Sequence, residues 1–312
     1  MDASIGTIAV KKKSKIKMRR LALTLLALPF VIHILTFAYV PLFGWIFAFY
    51  RYRPGIPLRN LTFVGLDNFR NIFIFSNDII RVLTNTLALA FLGILMSPLP
   101  VIVAILLNEI RLTKFKRTVQ TITTIPNFIS WVIVYSLAFT IFASGGLLNQ
   151  FMLQMGFWER PYNILLDYNV VWRFQTALGI WKGLGWGAIL YMAAISSIDE
   201  ELIHAARVDG AGRFRCIWHI TVPGVIPTYM VLMLLSISNL LSVGFEQYFV
   251  FSNPFVRPRI EVLDLYLFRI GIGTGDFSFA IAAGILRSFV SIVLLFTANA
   301  LSKFLRGGES LI

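Results

Sequence analysis

Residues 21–50 read LALTLLALPFVIHILTFAYVPLFGWIFAFY, without one Lys, Arg, Asp or Glu. About 20 consecutive apolar residues cover a hydrocarbon core of about 30 Å, so this run is long enough to cross a bilayer. The whole chain has the same character. Of its 312 residues, 57% are hydrophobic and 14% charged, where a soluble domain carries about 25% charge. A water-facing surface cannot be covered by so few charges. This is an integral membrane protein.

Outward from that run, five more charge-poor stretches occur at 82–108, 119–148, 174–198, 224–245 and 277–302. Only helices satisfy their own backbone in lipid with such apolar runs. The expected architecture is therefore all-α and polytopic, with six transmembrane helices. A basic segment (1–20) precedes the membrane domain (21–302), and a short tail (303–312) follows it.

Lys and Arg mark cytoplasmic loops. Lys11, Lys12, Lys13, Lys15, Lys17, Arg19 and Arg20 crowd the N-terminal segment. Arg111, Lys114, Lys116 and Arg117 fill the short second connection, and Arg207, Arg213, Arg215, Lys303 and Arg306 fall on the same side. The opposite loops spread their arginines over longer stretches. Both termini are therefore expected in the cytoplasm, and the net charge of +13 reads as topology rather than as a nucleic-acid surface. The first apolar run is too long for the 7–15-residue core of a secretory signal, and no small-residue cleavage site follows promptly. It reads as an anchor.

Chemistry is sparse. The single Cys216 and the scattered His33, His204 and His219 form no metal-ligand spacing. No phosphate loop, zinc-protease motif or nucleophile constellation is present. Gly271 to Gly275 reads as a turn. No catalytic residue, metal site or cofactor is expected in this chain.

The stretch between the fourth and fifth spans, 199–223, carries the most information. Asp199 suits an N-cap, and Glu200 and Glu201 place carboxylates where the helix dipole favours them. Leu202, Ala205 and Ala206 share one narrow face. Asp209-Gly210 ends the helix, with Gly210 supplying a left-handed conformation. After a second polar turn, Val222-Pro223 leads back into the membrane. A short helix with a smooth surface should project from the bilayer.

The order His204-Ala205-Ala206, three residues, Gly210, nine residues, Ile220-x-Val222-Pro223 resembles the EAA loop of binding-protein-dependent ABC importer permeases. Val222 stands for the usual Leu and His204 for the usual Glu; Glu201 is a carboxylate one turn earlier on the same face. Asn108-Glu109-Ile110-Arg111, Pro126-Asn127-Phe128-Ile129-Ser130-Trp131, Ile180-Trp181-Lys182-Gly183, Gly244-Phe245-Glu246-Gln247 and Phe277-Ser278-Phe279-Ala280 resemble the polysaccharide and oligosaccharide branch, which includes the alginate importer. The resemblance implies half of a type I importer in the bacterial inner membrane. It implies a second, different permease subunit, two cytoplasmic ABC ATPases carrying ATP and Mg, an extracytoplasmic solute-binding protein, and a saccharide cargo, acidic if alginate is the guide. ATPase coupling would fall to Glu201, His204, Ala205, Ala206, Asp209, Gly210, Ile220 and Pro223.

Inside the spans, Lys182 and Arg287 cost at least about 2.5–3.5 kcal/mol each on insertion scales. Either they line a cationic pathway for acidic sugars, or they meet internal partners such as an ion pair or the carbonyls of a broken helix. No acidic residue lies well inside a span, so an acidic cargo is the expectation if no protein partner is found. Trp181, Trp186, Tyr229 and Asn239 either offer stacking and hydrogen bonds to a sugar or serve helix packing, and Glu246-Gln247 would line the pathway mouth or touch the binding protein. Gly179, Gly183 and Gly187 form a small-residue face for helix packing. A secondary sugar transporter would need inverted repeats and a proton or cation relay. That reading, and a membrane scaffold without an ATPase, are the alternatives.

Overall fold

The computed structural model describes residues 23–74 and 76–305. The expected N-terminal segment 1–20 and residues 306–312 of the tail lie outside them. Six stretches are long and apolar enough to cross a membrane: Leu23–Phe49, Asn77–Glu109, Trp131–Gln154, Val171–Ser196, Arg213–Ser238 and Phe277–Ala300. Among the described residues, β-pairing is limited to one bridge between Tyr50 and Phe63. The expected all-α, six-span architecture is what the chain adopts.

The first crossing, α1 (Leu23–Phe49), has 0% of its most apolar window buried. Its sequence is apolar all round because lipid, or another chain, is its solvent. Only its far end joins the core, where Ala48 is fully buried. After α2 (Asp67–Ile74), the second crossing consists of α3 (Ser76–Leu95) and α4 (Pro98–Glu109), bent at Met96-Ser97. Pro98 and Pro100 lack the N–H groups that would carry the ladder through the bend.

The third crossing departs from a plain span. Helix α5 (Thr113–Thr124) ends in a 3-10 turn, Ile125–Phe128, and a new helix, α6 (Trp131–Phe142), starts from Ser130, whose side chain caps Ile133 N–H. Helix α5 and the turn pack along α8 (Val171–Ser196), and α6 reaches it through side chains. A Cβ on Gly185 would lie 2.2 Å from the Thr123 carbonyl oxygen, and the Phe142 and Phe174 rings touch at 5.1 Å. Gly185 is near the middle of α8, so the break in the third crossing falls near the middle of the membrane. Helix α7 (Leu147–Gln154) folds back on α6, held by buried Asn149, which bonds the Ala143 and Tyr162 carbonyls.

Helix α9 (Glu200–Val208) follows, and then α10 (Arg213–Ser238). Sequence places the start of the fifth span at residue 224; it is helical from Arg213. The reason is a π-turn at Ile217–Thr221, where Val222 N–H reaches back to the Ile217 carbonyl. The wider turn admits Pro223 without ending the helix. Short helices α11 (Glu246–Phe251), α12 (Arg257–Ile260) and α13 (Leu263–Phe268) fold the last external segment, and α14 (Phe277–Leu305) makes the sixth crossing. That segment is clasped to α3. Glu261, 1% exposed, accepts Arg81 at 3.0 Å and Arg269 at 2.6 Å, while Asn85 donates to the Pro258 and Glu261 carbonyls.

Candidate functional site

Helix α9 stands clear of the core, with no buried residue. Asp199 Oδ1 accepts the Glu201 N–H at 2.9 Å, and Glu200 and Glu201 occupy the first turn. At the other end Gly210 has φ +79°. Its N–H bonds the Arg207 carbonyl at 3.1 Å, and Ala211 N–H bonds the Ala206 carbonyl at 2.8 Å, the paired closure of a Schellman motif. Glu201, His204, Ala205 and Asp209 are exposed and Ala206 is half-buried. Val208, Phe214 and Trp218 add apolar surface at 88%, 89% and 70% exposure. Ile220 and Pro223 belong instead to α10, one within the π-turn and one just past it. The motif thus bridges two helices across a tight polar turn. Beside it a cleft of about 200 Å³, lined by Glu109, Arg111, Ile203, Arg207 and Arg213, joins the second connection to α9.

An open hollow of about 450 Å³ lies between α3, α8 and the chain from the end of α10 to α11. Its polar wall is uncharged: Ser97, Gln175, Thr176, Ser236, Asn239, Ser242 and Gln247. Gln247 Nε2 donates to the Gln175 carbonyl and side-chain oxygens at 2.9 and 2.8 Å. Gln247 is expected at the pathway mouth and lines the hollow, whereas Gln175 is missed by sequence reasoning, because an amide amid apolar residues gives little warning of its partner. Of the other residues expected in the pathway, Asn239 lines this hollow. Tyr229 stands behind it, its hydroxyl 2.9 Å from Ser97 Oγ. Trp181 is exposed away from it, and Glu246 is exposed at the start of α11.

The two cations have partners within this chain. Lys182 Nζ donates to the carbonyls of Pro126 and Asn127, at the break in the third crossing, and sits 5.5 Å from the Trp131 ring centroid. Arg287 pairs with Asp264 of α13. Of the two readings open in the sequence, internal partners are the ones found: the carbonyls of a broken helix for Lys182 and an ion pair for Arg287. Asp264 lies outside any span in sequence, but α13 folds back against α14 and brings it to Arg287.

The glycine series is also redrawn. Gly179 and Gly183 line the hollow, and Gly187 packs on Pro100. The closest helix approach belongs to Gly185, outside the four-residue series, against Thr123 and Thr124.

The family model for the binding-protein-dependent transport system inner membrane component matches residues 97–307. The chain belongs to that family. This inner membrane component is 38% identical over 283 residues to protein LplB of Bacillus subtilis, covering 90% of the chain and 88% of LplB. It is 37% identical over 306 residues to the polygalacturonan/rhamnogalacturonan transport system permease protein YteP of the same organism, covering 97% of the chain and 94% of YteP. Its fold matches a crystal structure of a bacterial alginate ABC transporter in complex with alginate pentasaccharide-bound periplasmic protein. The TM-score there is 0.84 at 32% identity, covering 95% of this chain and 98% of that one. It is a multi-pass protein of the bacterial inner membrane, and membership displaces the secondary-transporter and scaffold readings.

Proposed function

We propose that this chain is one of two different permease halves of an ATP-driven importer for an oligo- or polysaccharide, with α9 as the helix that receives the ATPase. The carrying observation is α9 itself, an exposed helix fixed at both ends by its own caps and bearing the EAA spacing. Caps at each end let α9 move as a body with its neighbours when a partner pushes on it, rather than fray. The pushing partner is a cytoplasmic ABC ATPase pair, one beneath each half, and ATP and Mg bind there rather than here. This orientation places α9, the second connection and both termini in the cytoplasm. An extracytoplasmic solute-binding protein delivers the cargo.

The saccharide class is supported by the names of YteP and the alginate transporter and by the amide and hydroxyl wall of the hollow. Both named cargoes contain uronates, so an acidic saccharide is the reading we favour. Lys182 and Arg287 hold this chain's own groups, so recognition of the carboxylates falls to other parts of the assembly. The test is to purify the chain with its partners, reconstitute it in liposomes, and measure ATP turnover with binding protein loaded with oligouronate or with a neutral oligosaccharide. Stimulation by neither, with partners present, overturns the reading.

A further inference from the structure

The cleft of about 200 Å³ beside α9 is walled by three stretches of chain. Asn108, Glu109 and Arg111 come from the end of α4 and the connection after it, Arg207 from α9, and Arg213 and Thr221 from α10. Three arginines line it against one glutamate, which leaves two positive charges. None of the three forms an ion pair among the described residues. The backbone adds to the excess. The first turn of α10 carries Arg213 and Arg215 and no acidic residue, and its N-cap, Gly212, has no side chain to offer. A helix N-terminus favours anions, so this end of α10 carries the wrong charge for its dipole until an anion arrives.

Size and position say what kind of anion. The room is that of about six or seven waters at liquid density. It admits a phosphate group with a small body attached and excludes a folded segment of a partner. Successive residues of a helix turn by about 100°. Ile203 and Arg207, the α9 residues in the cleft, therefore lie on the side opposite Glu201 and Ala205, which are exposed and belong to the coupling set. The cleft is behind that face, between α9 and the membrane domain. An ATPase seated on Glu201 and Ala205 leaves it open.

We propose that this cleft binds a small soluble phosphomonoester from the α9 side of the membrane. A phosphomonoester carries close to two negative charges at neutral pH, which the excess of arginine over glutamate matches; a carboxylate or a phosphodiester carries one. Arg111, Arg207 and Arg213 bring planar donors suited to phosphate oxygens. Glu109 accepts from hydroxyl groups on the body of the ligand and disfavours a second acidic group there. Bound in this way, the ligand ties the end of α4, α9 and the start of α10 together. Only the ATPase's leaving the cleft open rests on the coupling role proposed for α9.

The test titrates glucose 6-phosphate, glucose and glucuronate by calorimetry into the assembled transporter, with ADP and Mg present to fill the ATPase phosphate loops. The wild type is expected to bind glucose 6-phosphate in preference to both others. Arg111→Gln, Arg207→Gln and Arg213→Gln should each weaken it about tenfold, the weight of one charge-assisted hydrogen bond, and Arg111→Lys should weaken it less. Arg215→Gln, which removes the same charge outside the cleft, should change it little. Cargo-stimulated ATP turnover is read in the same variants, so that loss of the ligand and loss of coupling are told apart. No binding by the assembled wild type, equal binding of glucuronate, or unchanged binding in all three glutamine variants overturns the proposal. So does phosphatidylglycerol that stays bound through delipidation and that glucose 6-phosphate does not displace, which would give the cleft to a lipid headgroup.

Discussion

Lys182, on the fourth crossing, caps the third: its Nζ is 2.7 Å from the Asn127 carbonyl oxygen and 3.2 Å from that of Pro126. The carbonyls that end a helix carry partial negative charge and have no partner in the ladder. In a bilayer, water does not replace that partner.

Lys182→Met should therefore lower stability by about 1–3 kcal/mol, the cost of leaving such groups unmet. Lys182→Gln, which keeps a donor, should lose less. Thermal unfolding of the purified assembly measures both. Uptake of acidic and neutral oligosaccharides should fall in parallel; selective loss of the acidic one would return Lys182 to the pathway.

Arg287 and Asp264 form the other intramembrane pair. Removing one member leaves a partly buried charge alone, at a cost of the order of 3 kcal/mol. Arg287→Met and Asp264→Leu should each destabilise more than the double variant does. Additive losses in that double-mutant cycle would show the pair to be uncoupled.

Gly210 combines φ +79° with open space where a Cβ would stand, so only the backbone conformation resists substitution. Gly210→Val should abolish cargo-stimulated ATP turnover, while Gly210→Asn, more at ease in that region, should keep most of it. Ala206→Glu should also uncouple, by placing bulk and charge on the docking face. Assembly of all three should persist on gel filtration. Normal stimulation in Gly210→Val and Ala206→Glu would remove α9 from the coupling role.

His204 is exposed on α9, so nothing within the chain opposes a carboxylate there. His204→Glu should be accepted and should hold the ATPase through more washes of an affinity column. Loss of the ATPase would mean that α9 docks differently from its relatives.

Glycines on α8 separate packing from function. Gly185→Ala drives a methyl into the Thr123 backbone, and overpacking of this kind costs about 1–3 kcal/mol. A Cβ at Gly183 meets nothing within 4 Å and enters the hollow. Gly183→Ala should therefore fold normally and alter uptake, whereas Gly185→Ala should lower yield and thermal stability.

Local signals are legible in the sequence and distant ones are not. Asp199, Gly210 and the length of α9 follow from capping rules that act within a few residues, and the six spans follow from hydropathy. The start of α10 is misplaced because Pro223 reads as a boundary, and only the π-turn ahead of it permits a continuous helix. The partners of Lys182 and Arg287 depend on tertiary folding, 55 and 23 residues away. Glu261 leaves one faint sign: it stands in an external loop between Ile260 and Val262, apolar neighbours that suit a buried carboxylate. Its arginines, Arg81 and Arg269, cannot be read from that sign.

The break in the third crossing also bears on how the chain is made. Helix α5, TKFKRTVQTITT, is too polar to remain in lipid unaided, and the carbonyls at 126 and 127 are capped by a residue synthesised 56 and 55 positions later. Until the ribosome has delivered α8, the third crossing has neither its cap nor the groove at Gly185 that seats it. Its final depth is therefore settled after the fourth crossing has entered the bilayer, and the two are acquired together as one unit of biogenesis.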